Sequence, residues 1–242
     1  MQLVFKPQIL IPFIILTIAS AAVTEVSGFA LDKPLNDLVL LNGNLPTDNL
    51  LGFFLFSYPL EIATLIIVGS IMFGVGVIAI MSVARMTKES GLVEAINDSV
   101  MDFGKTAGAV VLFWALFIII AVVFTIAGLI SSIDSTAGII ATWIFIIIIF
   151  IAFVKLFFTF PALIKKDLKK ALLESWDFTN KRFWGSFALI IIAGIIAFVL
   201  SLAISEIGIL IGGLAEVLLT TLGDIASITF FVAVVTNYFY SK

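Results

Sequence analysis

Long uncharged segments dominate the pattern of hydrophobic and polar positions along the chain. A helix needs about 20 apolar residues to cross about 30 Å of hydrocarbon at a rise of about 1.5 Å per residue. Backbone groups in lipid must be satisfied within the protein, and the strand-like alternation of a membrane barrel is absent. The pattern predicts an all-α integral membrane protein, one polytopic domain over 1–242, with six transmembrane helices at about 7–29, 58–84, 106–131, 137–160, 183–205 and 214–240.

Two polar segments between these spans have apolar residues at helical spacing, which predicts amphipathic helices at the membrane surface. The first lies at about 89–103. Its apolar face consists of Leu92, Ala95, Ile96, Val100 and Phe103, and its acidic stripe consists of Glu94, Asp98 and Asp102. The second, at about 165–181, has its charges mostly opposite the apolar face Leu168, Ala171, Leu172 and Trp176.

The two polar segments match each other at an offset of 76 residues. The matched pairs are Leu92 and Leu168, Ala95 and Ala171, Ile96 and Leu172, Asp98 and Glu174, Ser99 and Ser175, and Lys105 and Lys181. In each copy a span enters, an amphipathic helix follows and a span leaves. The sequence therefore predicts an internal repeat that covers spans two and three and then spans four and five.

Composition narrows the class of protein and of site. The chain is 62% hydrophobic and only 12% charged, with a mean hydropathy of +1.27, which excludes a water-soluble globular domain. It contains no Cys and no His, which excludes disulfides, thiolate metal sites and imidazole catalysis or ligation. No phosphate loop, metal cluster, nucleophile motif or basic nucleic-acid patch is present, so we predict no cofactor, no catalytic residue and no nucleic-acid partner.

Basic residues set the expected orientation, since cytoplasmic loops carry an excess of Lys and Arg. With six spans and a cytoplasmic N-terminus, twelve of the thirteen basic residues lie on the cytoplasmic side and only Lys33 lies outside. An odd number of spans spoils this distribution. We therefore predict a multi-pass protein of the cell membrane with both termini in the cytoplasm.

The two polar segments differ in charge. From Arg85 to Lys105 the net charge is −1, whereas from Lys155 to Arg182 seven basic residues face three acidic ones. Basic residues at a membrane surface attract anionic headgroups. The candidate anionic-lipid contacts are Lys165, Lys166, Lys169, Lys170, Lys181 and Arg182. The alternative is that these residues only set the topology.

The second segment also resembles a known family pattern. In this chain the pattern consists of Pro161, Ala171, Leu172, Ser175, Trp176, Phe183, Trp184 and Gly185. It is similar to that of poorly characterised prokaryotic multi-pass proteins, which include YciC-like proteins and the membrane domain attached to some glycerophosphoryl diester phosphodiesterases; archaeal relatives would fit. The resemblance implies a six-helix domain of unknown function without catalytic residues. Physically, Trp176 and Trp184 are expected to be interfacial anchors.

Three charged residues are candidate intramembrane polar groups, because charges inside spans are usually functional. Asp224 lies in the sixth span if that span begins near Leu214; alternatively Gly223 and Asp224 cap a shorter helix and 207–222 is re-entrant or interfacial. Glu61 is expected in the first turn of span two, where an acid complements the helix dipole. Lys155 is expected to extend its ammonium to the cytoplasmic interface.

Together these patterns predict a non-enzymatic integral membrane protein that acts as an accessory, interaction or lipid-interacting module. Its expected partners are membrane lipids, with another membrane protein or a second copy of the chain as further candidates. The alternative function is a small transporter or channel with a polar pathway near Asp224.

Overall fold

The computed structural model describes residues 7–21, 23, 28, 57–88 and 91–241, and all regular structure in that part is helical. The helices follow one another along the chain with few residues between them. They are α1 (Pro7–Ala21, with a 3-10 first turn Pro7–Leu10), α2 (Pro59–Met86), α3 (Leu92–Met101), α4 (Phe103–Ile133), α5 (Ser135–Leu156), α6 (Thr159–Leu163), α7 (Leu168–Lys181), α8 (Phe183–Ile211) and α9 (Gly213–Tyr240).

Five helical segments in the described part are long and apolar enough to cross a membrane. They are α2, α4, the segment Ser135–Leu163 that joins α5 to α6, α8 and α9, and each has 28 to 31 residues. Such a helix is about 42 Å long, so it spans the hydrocarbon and reaches the headgroup region at its ends. The chain is therefore a multi-pass, all-helical membrane protein. The apolar helix α1 is shorter, and much of the predicted span 7–29 lies outside the described residues.

The last two spans correct one sequence interpretation. α8 continues to Ile211, and α9 starts at Gly213 and runs without a break through Asp224. The reading of 207–222 as a re-entrant or interfacial piece capped by Gly223 and Asp224 is therefore wrong. The chain reverses instead at Gly212 and Gly213, whose φ angles of 73° and 60° belong to the left-handed region that glycine adopts without steric cost.

The order of the helices places α3 and α7 on the same side of the spans. α2 and the α5–α6 segment lead to this side, which we call the α3/α7 side, and α4 and α8 return from it. The turns at Asp134 and Gly212 lie on the opposite side. The Tyr240 hydroxyl at the end of α9 donates a 2.7 Å hydrogen bond to the Pro161 carbonyl of α6, which joins two helix ends on the α3/α7 side.

The largest buried cluster also lies towards the α3/α7 side and centres on Phe158, between α5 and α6. Its ring lies 5.0 Å from that of Phe178 in α7 and 6.0 Å from that of Phe239 in α9, measured between centroids. Met81 of α2 and Leu163 of α6 complete its fully buried part. Aromatic packing therefore joins the ends of four helices at the level of the break between α5 and α6.

A smaller cluster joins α1 to the spans. Ile9 and Phe13 of α1 are buried against Ala79 and Val83 of α2 and Ile225 of α9. α1 thus packs along two span-forming helices. Elsewhere the exterior is apolar, and only 6% of the most apolar window of α4 is buried, against 33% for α9. α4 is therefore the most peripheral of these helices.

Close packing of α8 against α9 depends on Gly223, and this gives a first prediction. A Cβ at Gly223 would lie 3.1 Å from both the Ile204 Cβ and the Ser201 carbonyl oxygen of α8. We expect Gly223→Leu to destabilise the protein by about 1–3 kcal/mol through overpacking. The measurement is thermal unfolding of the detergent-purified protein. Gly194→Leu is the control, because no atom lies within 4 Å of a Cβ there; equal melting temperatures for the two variants would contradict the prediction.

Candidate functional site

A buried arginine anchors α3 to the spans. Arg85, in the last turn of α2, is only 8% exposed. Its guanidinium donates a 3.2 Å hydrogen bond to the Ser99 hydroxyl and forms an ion pair with Asp102, which also pairs with Lys105 at 2.9 Å. A guanidinium this buried requires such partners, because an unpaired buried charge is strongly unfavourable. The arrangement joins the end of α2 to both ends of the turn between α3 and α4.

Small residues set how closely α3 approaches the spans. Ala95 and Ser99, one turn apart, are both fully buried, and Leu92 and Ile96 beside them are half-buried. The predicted apolar face is therefore only partly correct. Its last members, Val100 and Phe103, are exposed in the structure. The buried face is centred on the small residues, and larger apolar side chains lie along its edge.

α7 repeats this arrangement with the residues that match at the offset of 76. Ala171 and Ser175 are fully buried, as their counterparts are. The Ser175 hydroxyl donates a 2.6 Å hydrogen bond to the carbonyl of Lys155 in the last turn of α5. Carbonyls in the last turn of a helix have no partner within that helix, so this bond satisfies one of them. Both short helices thus use an Ala and a Ser, four residues apart, to contact the preceding span.

Lys155 lies next to α7. Its ammonium nitrogen is 4.1 Å from the centroid of the Trp176 ring, which is the geometry of a cation–π contact. Trp176 is exposed along the edge of α7, and Trp184, at the start of α8, is 76% exposed. Both indoles lie on the α3/α7 side, Trp176 within α7 and Trp184 in the first turn of α8, where a membrane–water interface is expected.

An open surface cavity of about 660 Å³ lies along the charged face of α7, and all its lining residues belong to 166–182. Its charged lining residues are Lys166, Lys170, Glu174, Asp177, Lys181 and Arg182. Lys166 pairs with Glu174 at 2.9 Å, which leaves three basic residues against Asp177. Of the two remaining candidate lipid contacts, Lys165 lies 5.2 Å from the Tyr240 ring centroid and Lys169 is exposed; neither lines the cavity. Four of the six candidate lipid contacts therefore line the cavity, and their role as lipid contacts stays a prediction.

Asp224 lies inside α9, about 16 Å along the helix axis from Gly213. Its carboxylate accepts a 2.6 Å hydrogen bond from the Ser201 hydroxyl of α8, and one turn away Ser205 and Thr220 are 3.3 Å apart. The Asp224 side chain is exposed on the surface of the hairpin and lines neither of the two principal cavities in the described part of the chain. A polar pair therefore joins α8 to α9 on the surface of the hairpin.

Glu61 occupies the first turn of α2, as the sequence predicts, and its side chain is half-buried. This turn lies on the side opposite α3 and α7. Within residues 7–21, 57–88 and 91–241, no group of three or more Asp or Glu side chains is arranged to hold a metal ion.

A second cavity, which the sequence analysis missed, lies between α4 and α5. Its volume is about 500 Å³ and its lining is almost entirely apolar. No sequence signal identifies it, because its lining comes from helices that are apolar on nearly every face.

Comparisons of the chain with protein-family models, curated proteins and solved structures find no match. The resemblance to the YciC-like group therefore stays a prediction, carried by Pro161, Ala171, Ser175 and the residues that follow them.

The Arg85 pairing gives a second prediction. Asp102→Asn removes the carboxylate and leaves the buried guanidinium without a counter-charge, so we expect a loss of about 3 kcal/mol in stability. Thermal unfolding in detergent measures this loss. Asp98→Asn is the control, since Asp98 has the same charge and is exposed on α3, which ends just before Asp102. If both variants have the same melting temperature as the wild type, the ion pair contributes nothing to stability.

Proposed function

We propose that the chain is a non-enzymatic protein of the cell membrane that acts through lipids and protein partners, with α7 as its lipid-binding element. The observation that carries the proposal is the cavity of about 660 Å³ on α7, lined by Lys166, Lys170, Lys181 and Arg182. It lies at helix ends, beside the exposed Trp176, where lipid headgroups are expected. Its size and excess positive charge suit the phosphate of an anionic headgroup.

The proposed topology has six spans, with α1 as part of the first and both termini in the cytoplasm. Two observations support it. α1 packs lengthwise on α2 and α9 through Ile9 and Phe13, as a neighbouring span would. All basic residues in the described part also lie at the α3/α7 side, and the acidic residues Glu61, Asp134, Glu206 and Glu216 lie towards the other. This asymmetry makes the α3/α7 side the cytoplasmic side under the positive-inside rule.

In this proposal α3 and α7 are interfacial helices of two repeated units. The equal burial of Ala95 and Ala171, and of Ser99 and Ser175, supports the repeat. The two copies have diverged in charge. α3 is tied down by Arg85 and presents acidic residues, whereas α7 presents the basic cavity. We therefore propose that α7 contacts lipid headgroups and that α3 faces protein partners or solvent.

The topology is directly testable, because the chain contains no Cys and a single introduced Cys is uniquely labelled. We expect Asn180→Cys, exposed on α7, to react with a membrane-impermeant maleimide only after cells are permeabilised. Ser135→Cys, exposed at the opposite turn, is the paired control and is expected to react in intact cells. The reverse pattern would place α7 outside the cell and refute the proposed orientation.

The lipid role is tested with two charge-matched double variants. Lys170→Gln/Lys181→Gln removes two cavity residues, and Lys165→Gln/Lys169→Gln removes two basic residues that do not line the cavity. At about 1 kcal/mol per well-placed basic residue, the first pair is expected to weaken phosphatidylglycerol binding about 30-fold and the second pair much less. Native mass spectrometry of the detergent-purified protein, titrated with phosphatidylglycerol or phosphatidylcholine, measures the binding.

The outcomes separate the proposal from its alternatives. Equal losses in both double variants would indicate diffuse attraction by net charge and not a headgroup site. Unchanged phosphatidylglycerol binding in both would indicate that these lysines serve only to set topology. The maleimide assay on the same variants shows whether their orientation is retained.

A further inference from the structure

The apolar cavity between α4 and α5 has the dimensions of a single lipid chain. Along α4 it extends from Ala109 to Val123, which is about 21 Å of helix axis. Along α5 it extends from Phe145 to Leu156, about 16 Å. One leaflet contributes about 15 Å of hydrocarbon. The cavity therefore runs from the α3/α7 side to beyond the midpoints of α4 and of the Ser135–Leu163 segment, so it is longer than one leaflet.

The end of the cavity near α7 contains one polar side chain that lacks a partner. Thr159 is 3% exposed, lines the cavity, and its hydroxyl has no hydrogen-bond partner among the described residues. Helical Thr hydroxyls usually donate to the carbonyl four residues earlier, as Thr179 and Thr229 do here. For Thr159 that carbonyl belongs to Lys155, and it already accepts the bond from Ser175.

Three other buried hydroxyls in the described part also lack partners, on Thr106, Ser186 and Thr236, but none of them lines this cavity. Burying a hydroxyl without a hydrogen bond is unfavourable. A ligand oxygen at the α7 end of the cavity would remove that cost at Thr159. The remaining lining is apolar and includes Phe113, Leu116, Ile120 and Ala152.

We infer that this cavity holds one acyl chain of a membrane phospholipid from the leaflet on the α3/α7 side, with the chain's ester carbonyl accepting a hydrogen bond from the Thr159 hydroxyl. The cavity is long enough for the hydrocarbon of one leaflet, its lining matches a hydrocarbon chain, and its one unpartnered donor lies at the end where the ester belongs. The site uses none of the charges on α7, so it does not depend on the headgroup cavity proposed above.

The first test fills the cavity. Ala152→Phe places a ring among the lining residues, and Ala188→Phe, exposed on α8 away from the cavity, is the matched control. The delipidated protein in detergent is titrated with diacyl phosphatidylcholine, whose neutral headgroup avoids the charge effects of α7, and retained lipid is measured by native mass spectrometry. We expect Ala152→Phe to bind about ten-fold more weakly, as loss of two buried chain methylenes would predict, and the control to bind as the wild type.

The second test addresses the hydrogen bond with a variant that keeps the shape of the side chain. Thr159→Val is expected to lower affinity for the diacyl lipid about five-fold, the effect of one neutral hydrogen bond, and to leave affinity for a dialkyl ether analogue unchanged. Thr236→Val removes an equally buried, unpartnered hydroxyl elsewhere and is expected to change neither affinity.

Retention of wild-type phosphatidylcholine binding by Ala152→Phe would overturn the chain site. A preference for ester over ether lipid that is the same in Thr159→Val and in the wild type would overturn the role of Thr159. A loss of binding confined to anionic lipids would instead report on the α7 headgroup cavity, so failure of one proposal is distinguishable from failure of the other.

Discussion

The hydrogen bond from the Ser175 hydroxyl to the Lys155 carbonyl is the contact on which the functional half of the molecule depends. A membrane helix that ends at a break exposes carbonyls that lipid cannot satisfy. Here α7 satisfies one of them, and the small side chains of Ala171 and Ser175 allow it to approach closely enough. The same contact places Trp176 beside the Lys155 ammonium, and it engages the carbonyl four residues before Thr159, whose hydroxyl has no partner among the described residues. One bond therefore fixes the position of the charged cavity and leaves a donor free at the mouth of the apolar one.

Much of this architecture is predictable from the sequence, and the physical reason differs from part to part. Lengths of apolar sequence locate the spans because the thickness of the membrane sets a minimum length. Helical spacing locates α3 and α7, since Ala95 and Ser99, like Ala171 and Ser175, recur at one turn. The predicted span at 214–240 agrees with α9, and only the alternative that ended a helix at Gly223 and Asp224 was wrong, because these residues are typical of a helix end in water. In the fold, Gly223 is instead where α8 and α9 pack closely, and the reversal uses Gly212 and Gly213.

The sequence alone does not predict which residues of different helices contact each other. Arg85 and Asp102 carry no pattern that distinguishes a buried ion pair from two surface charges, since their pairing depends on how α3 lies against the end of α2. The sequence also gives no indication of the cavity between α4 and α5, because both helices are apolar on nearly every face. For Asp224, the sequence predicts part of the arrangement. Its intramembrane position is visible in the sequence, but its partner, Ser201, follows only from the packing of the α8–α9 hairpin.

The few charged residues of the chain differ in burial and therefore in what they can do. Arg85 is buried and paired, so it holds α3 to the spans; the basic residues of α7 are exposed, so they are available to ligands. α7 combines three surfaces in 14 residues: a buried face of small residues, a charged face over the cavity of about 660 Å³, and an edge with Trp176. Leu168, in its first turn, reaches the apolar cavity, while Lys166 and Lys170 on either side of it in sequence line the charged one. α7 thus separates the proposed headgroup site from the proposed chain site, and the small-residue contact with α5 positions the helix between them.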